Sequence, residues 1–90
     1  MGEATWYGEA HQGKRTASGE PFDLHQHTAA HRSLPFGTRV RVTLISTGKS
    51  VEVRINDRNG GREIIDVSKS AAEAIGLTRV GRGQVRVEVL

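Results

Sequence analysis

Arg39-Val40-Arg41-Val42-Thr43-Leu44, then Ser46-Thr47-Gly48-Lys49, then Ser50-Val51-Glu52-Val53-Arg54-Ile55 is the stretch that decides the fold. Both flanks alternate polar and apolar residues. Alternation at period two marks a strand with one face buried and the other wet. The apolar members are mostly β-branched, which suits a pleated surface. Between the flanks, Gly48 supplies the backbone angle that a tight turn needs. The segment is therefore expected to form a β-hairpin.

Beyond the hairpin, Gln84-Val85-Arg86-Val87-Glu88-Val89 repeats the alternation and predicts another strand. Ile64-Ile65-Asp66-Val67 is a short apolar run that predicts a buried strand. Ser68 opens a helical stretch from Lys69 to Ile75, with Ser70 and Glu73 offering an alternative start as a capping box. Gly76 suits the left-handed residue that closes such a helix. Thr28-Ala29-Ala30-His31 is expected to make a single helical turn, and residues 9–27 a loop with short extended pieces. Pro35 to Val42 faintly echoes Val80 to Val87: each has a glycine turn just before an alternating strand. Two similar halves of a barrel would give that echo. So many strands in so short a chain favour closure, since a closed barrel leaves no edge.

Ninety residues make one domain, taken as 1–90. With no cysteine, neither a disulfide nor a thiolate metal site is available. No apolar run is long enough to span a membrane. The first residues, Met1 to Trp6, lack the basic region and apolar core of a signal peptide, so a trimmed exported domain and a cytoplasmic protein are both open. The formal charge of +3 and a pI near 10.0 favour an anionic partner. The basic residues are dispersed, however, in runs of at most two. A solvated basic surface explains them equally well, and nucleic-acid binding is disfavoured for want of a contiguous patch with interleaved aromatics.

Several segments, in order, carry a more specific signal: Ala4-Thr5-Trp6-Tyr7-Gly8, Arg15-Thr16-Ala17-Ser18-Gly19-Glu20, Thr28-Ala29-Ala30-His31-Arg32-Ser33-Leu34-Pro35, Val53-Arg54-Ile55-Asn56-Asp57-Arg58 and Ile64-Ile65-Asp66-Val67-Ser68. With the hairpin and the closing strand, they resemble the RlpA-like (rare lipoprotein A) double-psi β-barrel family over almost the whole chain. The resemblance implies a mainly all-β domain, a six-stranded double-psi β-barrel with one or two short helices. It also implies a peptidoglycan lytic transglycosylase that acts on glycan strands lacking stem peptides, in the periplasm or cell envelope; the domain itself is expected to be a monomer. One departure concerns the loop Asn59-Gly60-Gly61-Arg62-Glu63, which is shorter than the family's and lacks its proline and aromatic.

Cutting a glycosidic bond requires a proton on the leaving oxygen and stabilisation of an oxocarbenium-like centre, which is work for carboxyl groups. A lytic transglycosylase uses the sugar's own 6-hydroxyl as nucleophile. Asp57 ends an alternating strand, which places it at a barrel rim; the resemblance makes it the general acid/base, against the plainer reading of an Asx turn. Glu20 matches a second family carboxylate that stabilises the transition state or assists proton transfer, and otherwise reads as a solvated loop residue. His31 matches a family histidine, expected to bind the sugar, to orient Asp57 or to hold local structure. Arg58 is expected either to grip an anionic group of the glycan or to lower the Asp57 pKa. Trp6 and Tyr7 point to opposite faces of a strand, Trp6 toward packing and Tyr7 toward the cleft, where it would stack on a sugar. Asp66 is expected to cap or brace the helix start. His11, His25 and His27 lack metal-ligand spacing, so neither metal nor cofactor is expected. Two alternatives to the enzyme stay open: a non-catalytic polysaccharide-binding barrel, and a simplified or engineered barrel scaffold without activity.

Overall fold

The computed structural model describes residues 1–90. Six strands form the body: β1 (Gly2–Tyr7), β2 (Thr28–Ala30), β3 (Arg39–Leu44), β4 (Ser50–Asp57), β5 (Ile65–Ser68) and β6 (Gly83–Val89). One helix, α1 (Lys69–Ile75), and two 3-10 turns, Glu9–His11 and Leu77–Arg79, complete the elements. The strands close into a barrel in the order β1-β5-β2-β4-β3-β6. The pairs β1–β5 and β2–β4 are parallel, and the other four are antiparallel. Exchanging β1, β2 and β3 with β4, β5 and β6 carries the set of pairings onto itself, a pseudo-twofold symmetry of the topology. The echo in the sequence falls on the segments leading into β3 and β6, which that symmetry exchanges and which pair with each other.

Alternation sets the barrel interior. In the β3–β4 hairpin, Val40 faces Val53 and Val42 faces Val51, all buried, while Arg41 faces Glu52 on the wet side. Gly48 takes φ +72° in the connecting turn. Ala4, Ala29, Ile55, Ile65, Val67 and Val85 are fully buried beside these valines, and Ala71, Ala72 and Ile75 of α1 pack onto the same core. Ser68 is the N-cap of α1, its hydroxyl accepting from the Ala71 N–H, and Gly76 closes the helix at φ +84°. No helix is long and apolar enough to cross a membrane.

Two local expectations are corrected. Thr28–Ala30 is strand β2, not a helical turn, because it is wedged between β4 and β5 with all three side chains buried. Two flanking ladders outweigh the helical preference of alanine. Asp66 does not cap α1, since Ser68 does; it sits inside β5, bonded by the Thr5 hydroxyl at 3.1 Å.

Candidate active site

β2 and β4 pair with a shift: Ala29 faces Ile55, but Ala30 faces Asp57. Asn56 is the extra residue, a β-bulge, and it breaks the alternation, so that Ile55 and Asn56 are both buried. A bulge bends its strand and re-aims the next side chains along it. Here the bulge brings Asp57 level with Ala30. On the other side of β2, Ala30 faces Asp66, and Asp66 faces Thr5 on β1. Thr5, Asp66, Ala30 and Asp57 thus form one row across four strands. Residues paired in a row share a face of the sheet. The two carboxyl-bearing residues stand two strands apart, roughly 10 Å between backbones, with only an alanine methyl between them.

The segment from Lys14 to Phe22 folds over the end of β4. Its main chain is tied down by Ser18 N–H to the Asn56 carbonyl (3.2 Å) and by Phe22 N–H to the Lys14 carbonyl (2.7 Å). The Ala17 N–H donates to Asp57 Oδ1 at 2.9 Å, as does the Arg58 N–H, so one oxygen takes both bonds. Glu20 arrives beside this group: Arg54 grips it through Nη1 at 2.6 Å and Nη2 at 3.3 Å, and Asn56 Nδ2 adds a third bond at 2.8 Å. The Arg54 bond first, then the Asn56 bond, lowers the Glu20 pKa. This carboxylate therefore stays ionised and locks the loop to the bulge. Replacing Glu20 with Gln is expected to cost about 1 kcal/mol or less at pH 7, because the pair is partly open to solvent. A depressed pKa contributes stability above the unfolded value of about 4.3 and loses it as the pH falls below that. Thermal melts should accordingly separate wild type from Glu20→Gln at pH 7 and converge toward pH 3.

Asp66 has the opposite setting. Burial, opposed in part by the Thr5 bond and reinforced by the nearby charges of Glu63 and Asp57, pushes its pKa up to about 6. Such a group holds a proton far longer than an ordinary aspartate. No local pattern marks Asp66 as an acid; the signals available are that it stands between the inward Ile65 and Val67 and lies in a segment that carries the family resemblance. Tyr7 lies in the same neighbourhood. Its ring stacks on Phe22, with centroids 4.5 Å apart, and meets His11 edge-on at 5.4 Å. The face expected to receive a sugar is thus occupied by protein. The Tyr7 hydroxyl is buried without a hydrogen-bond partner, and burial, Asp57 and Asp66 together raise its pKa. Trp6 packs against the core.

His31 is linked to Asp57 through its backbone, donating N–H to the Asp57 carbonyl at 3.1 Å. Its Nδ1 accepts from the Ser33 and Leu34 N–H groups, both at 3.1 Å, which leaves the proton on Nε2. The imidazole therefore organises the turn after β2 and does not orient the Asp57 carboxyl. Burial, then the charges of Arg58 and Arg32, lowers its pKa. The Arg58 guanidinium turns the same way, donating to the Leu34 carbonyl at 2.7 Å and lying 4.0 Å over the Phe36 ring. The structure thus brings Asp57, Glu20, His31 and Arg58 around the end of β4, with the last two spent largely on the 31–36 turn.

The pairing order, with its two parallel pairs in a six-stranded closed sheet, defines a double-psi β-barrel. Two solved structures share the architecture: the Streptomyces papain inhibitor (TM-score 0.78, 21% identity, 99% of this chain and 91% of that one) and cerato-platanin 3 from M. perniciosa (TM-score 0.74, 13% identity, 99% and 93%). At those identities they speak for the fold alone. The model of the lytic transglycolase family matches residues 1–89, and the chain belongs to that family, among its RlpA-like members. It is similar to the probable endolytic peptidoglycan transglycosylase RlpA of Synechocystis sp., at 53% identity over 92 residues, covering 99% of this chain and 28% of that protein. It is also similar to the endolytic peptidoglycan transglycosylase RlpA of Neisseria meningitidis, at 47% identity over 89 residues, covering 97% and 37%. The chain thus spans about a third of the length of these relatives.

Proposed function

We propose that this domain cleaves the glycan strands of peptidoglycan as a lytic transglycosylase in the cell envelope, preferring strands without stem peptides. The observation that carries the reading is the row Asp66–Ala30–Asp57: two carboxyl groups on one face, one of them holding its proton to about pH 6. In the proposed reaction, Asp66 gives its proton to the leaving glycosidic oxygen as the bond to C1 breaks. Asp57, whose second oxygen is outside the two main-chain bonds, takes the proton from the sugar's C6 hydroxyl as O6 bonds to C1. One proton enters and one leaves, and no water is consumed. Glu20 acts as a positioning residue, holding the loop whose Ala17 N–H orients Asp57.

Incubation with sacculi and with peptide-stripped glycan strands tests this, with mass spectrometry for 1,6-anhydro ends. Asp57→Asn is expected to lose at least about a hundredfold in product formation, the usual loss for a positioned acid/base group. Wild-type protein that binds the strands but yields no anhydro ends would instead be a wall-binding barrel.

A further inference from the structure

A cavity of about 210 Å³ opens beside the row, lined by His31, Arg32, Ser33, Arg62 and Ile64. Its residues flank the row along the chain: His31, Arg32 and Ser33 directly follow β2, which ends at Ala30, and Ile64 directly precedes β5, which carries Asp66. The His31 N–H donates to the Asp57 carbonyl at 3.1 Å, so the cavity adjoins the end of the carboxyl row.

Its polar residues are two arginines, Ser33 and His31. Their side chains carry donors: two guanidinium groups, a hydroxyl and the Nε2–H of His31, whose tautomer is fixed by the bonds to Nδ1. No carboxylate lines it. Neither Arg32 nor Arg62 joins an ion pair, as is also true of six other basic residues, but these two are the ones that line the cavity. Arg32 is exposed and makes one bond, Nη2 to the Gly61 carbonyl at 2.7 Å, which leaves its remaining donors for a ligand. The adjacent Glu63 directs its carboxylate toward Gly61 and pairs with neither arginine. Ile64 supplies a single apolar wall.

We infer that this cavity is a carboxylate subsite that receives the free lactyl arm of a muramoyl sugar next to the scissile bond, and that Arg62 and Arg32 thereby make the domain select peptide-free strands. The inference rests on the glycan-cleaving reading above. The chemistry of the arm fits the lining. Its carboxylate matches the planar, forked donors of arginine, and its methyl group meets Ile64. A stem peptide converts that carboxylate to an amide. The amide carries no charge, so the guanidiniums would be covered without a counter-ion, which discriminates strongly.

The test measures binding of three glycans of equal length to the intact domain by calorimetry: peptide-free strands, the same strands with lactyl carboxyls converted to amides, and peptide-bearing strands. Wild type is expected to prefer the free acid over the amide by about tenfold to a hundredfold, the range of a charge-assisted bond. Arg62→Gln should shrink that preference to within about threefold, and Arg62→Lys should restore part of it, since lysine keeps the charge without the fork. Melting curves establish that each variant is folded, and Arg62, which is exposed, lies outside the core. Equal binding of acid and amide by wild type overturns the subsite while leaving the catalytic reading intact. Peptide-bearing strands binding as well as free-acid strands also overturn it, because stem-peptide carboxylates would then serve. No binding of any strand removes the catalytic reading and the subsite together.

Discussion

Asp66→Asn is expected to lower glycan cleavage at least a hundredfold and, at pH 7.5, to raise the melting temperature. The first effect comes from the lost proton: asparagine keeps the acceptor that the Thr5 hydroxyl uses but has nothing to give the leaving oxygen, and a positioned general acid is worth about 10²–10⁴ in rate. The second comes from linkage. Asp66 has a folded pKa of about 6, against an unfolded value of about 3.9. The folded domain therefore holds this proton more tightly than the unfolded chain. Below about pH 4 both states are protonated and the native state has its full stability. Between that pH and about 6, the unfolded chain releases the proton first and stability falls; above about 6 the native state carries a half-buried anion. Two pKa units correspond to a ceiling of about 3 kcal/mol, and partial solvent access reduces this to roughly 1–2 kcal/mol. For a chain of this size that is about 5–15 °C in Tm. Calorimetry at pH 7.5 should show the variant melting higher, and at pH 4 the two proteins should coincide. Loss of activity with equal destabilisation at both pH values would make Asp66 a structural residue. Wild-type activity should likewise decline as the pH rises through 6, because the proton that the reaction uses is then gone.

The contrast between Asp66 and the hairpin shows what the sequence makes legible. Arg39–Leu44 and Ser50–Ile55 announce themselves because every residue in them obeys a local period, and the outcome depends only on which face is apolar. Ser68 and Gly76 are equally local, since a helix start and stop are chemical events within one turn. β2 is different. Thr28-Ala29-Ala30 has no β signature of its own; it is a strand because β4 and β5 pair with it on both sides. The bulge at Asn56 is also hidden. The run Val53-Arg54-Ile55-Asn56 reads as unbroken alternation, and only the pairing with β2 shows the extra residue. Asp57 and Glu20 were reachable through family resemblance, but the Arg54–Glu20–Asn56 connection spans more than thirty positions and has no local trace. The proton affinity of Asp66 is the least legible feature. It arises from burial and from Thr5, Glu63, His11 and Asp57, which come from separate parts of the chain.

Ile55→Ala is expected to cost about 3–4 kcal/mol and to lower Tm by roughly 12–30 °C. Ile55 is fully buried on β4, and its cross-strand partner Ala29 is already small. A truncated side chain there leaves a void that the neighbours across β2 are too short to fill, which places the loss in the upper part of the usual range for such changes. The main-chain bonds of Ile55, N–H to the Thr38 carbonyl at 2.9 Å and its carbonyl to the Gly37 N–H at 2.7 Å, survive the substitution. The loss therefore reads packing alone. Ile55→Val removes one methylene and should cost only about 1 kcal/mol. Domains of this size have a total stability of order 5–15 kcal/mol, and a small one sits toward the low end. The alanine variant would then be marginal at about 37 °C and folded at about 15 °C. Cleavage measured at that lower temperature carries the second half of the argument. Ile55 immediately precedes the bulge that aims Asp57, so a looser β4 end should reduce the rate even where thermal melts show the protein fully folded. An alanine variant with wild-type activity in the cold would mean that the loop bonds at Ala17 and Ser18 hold Asp57 in place without help from the core.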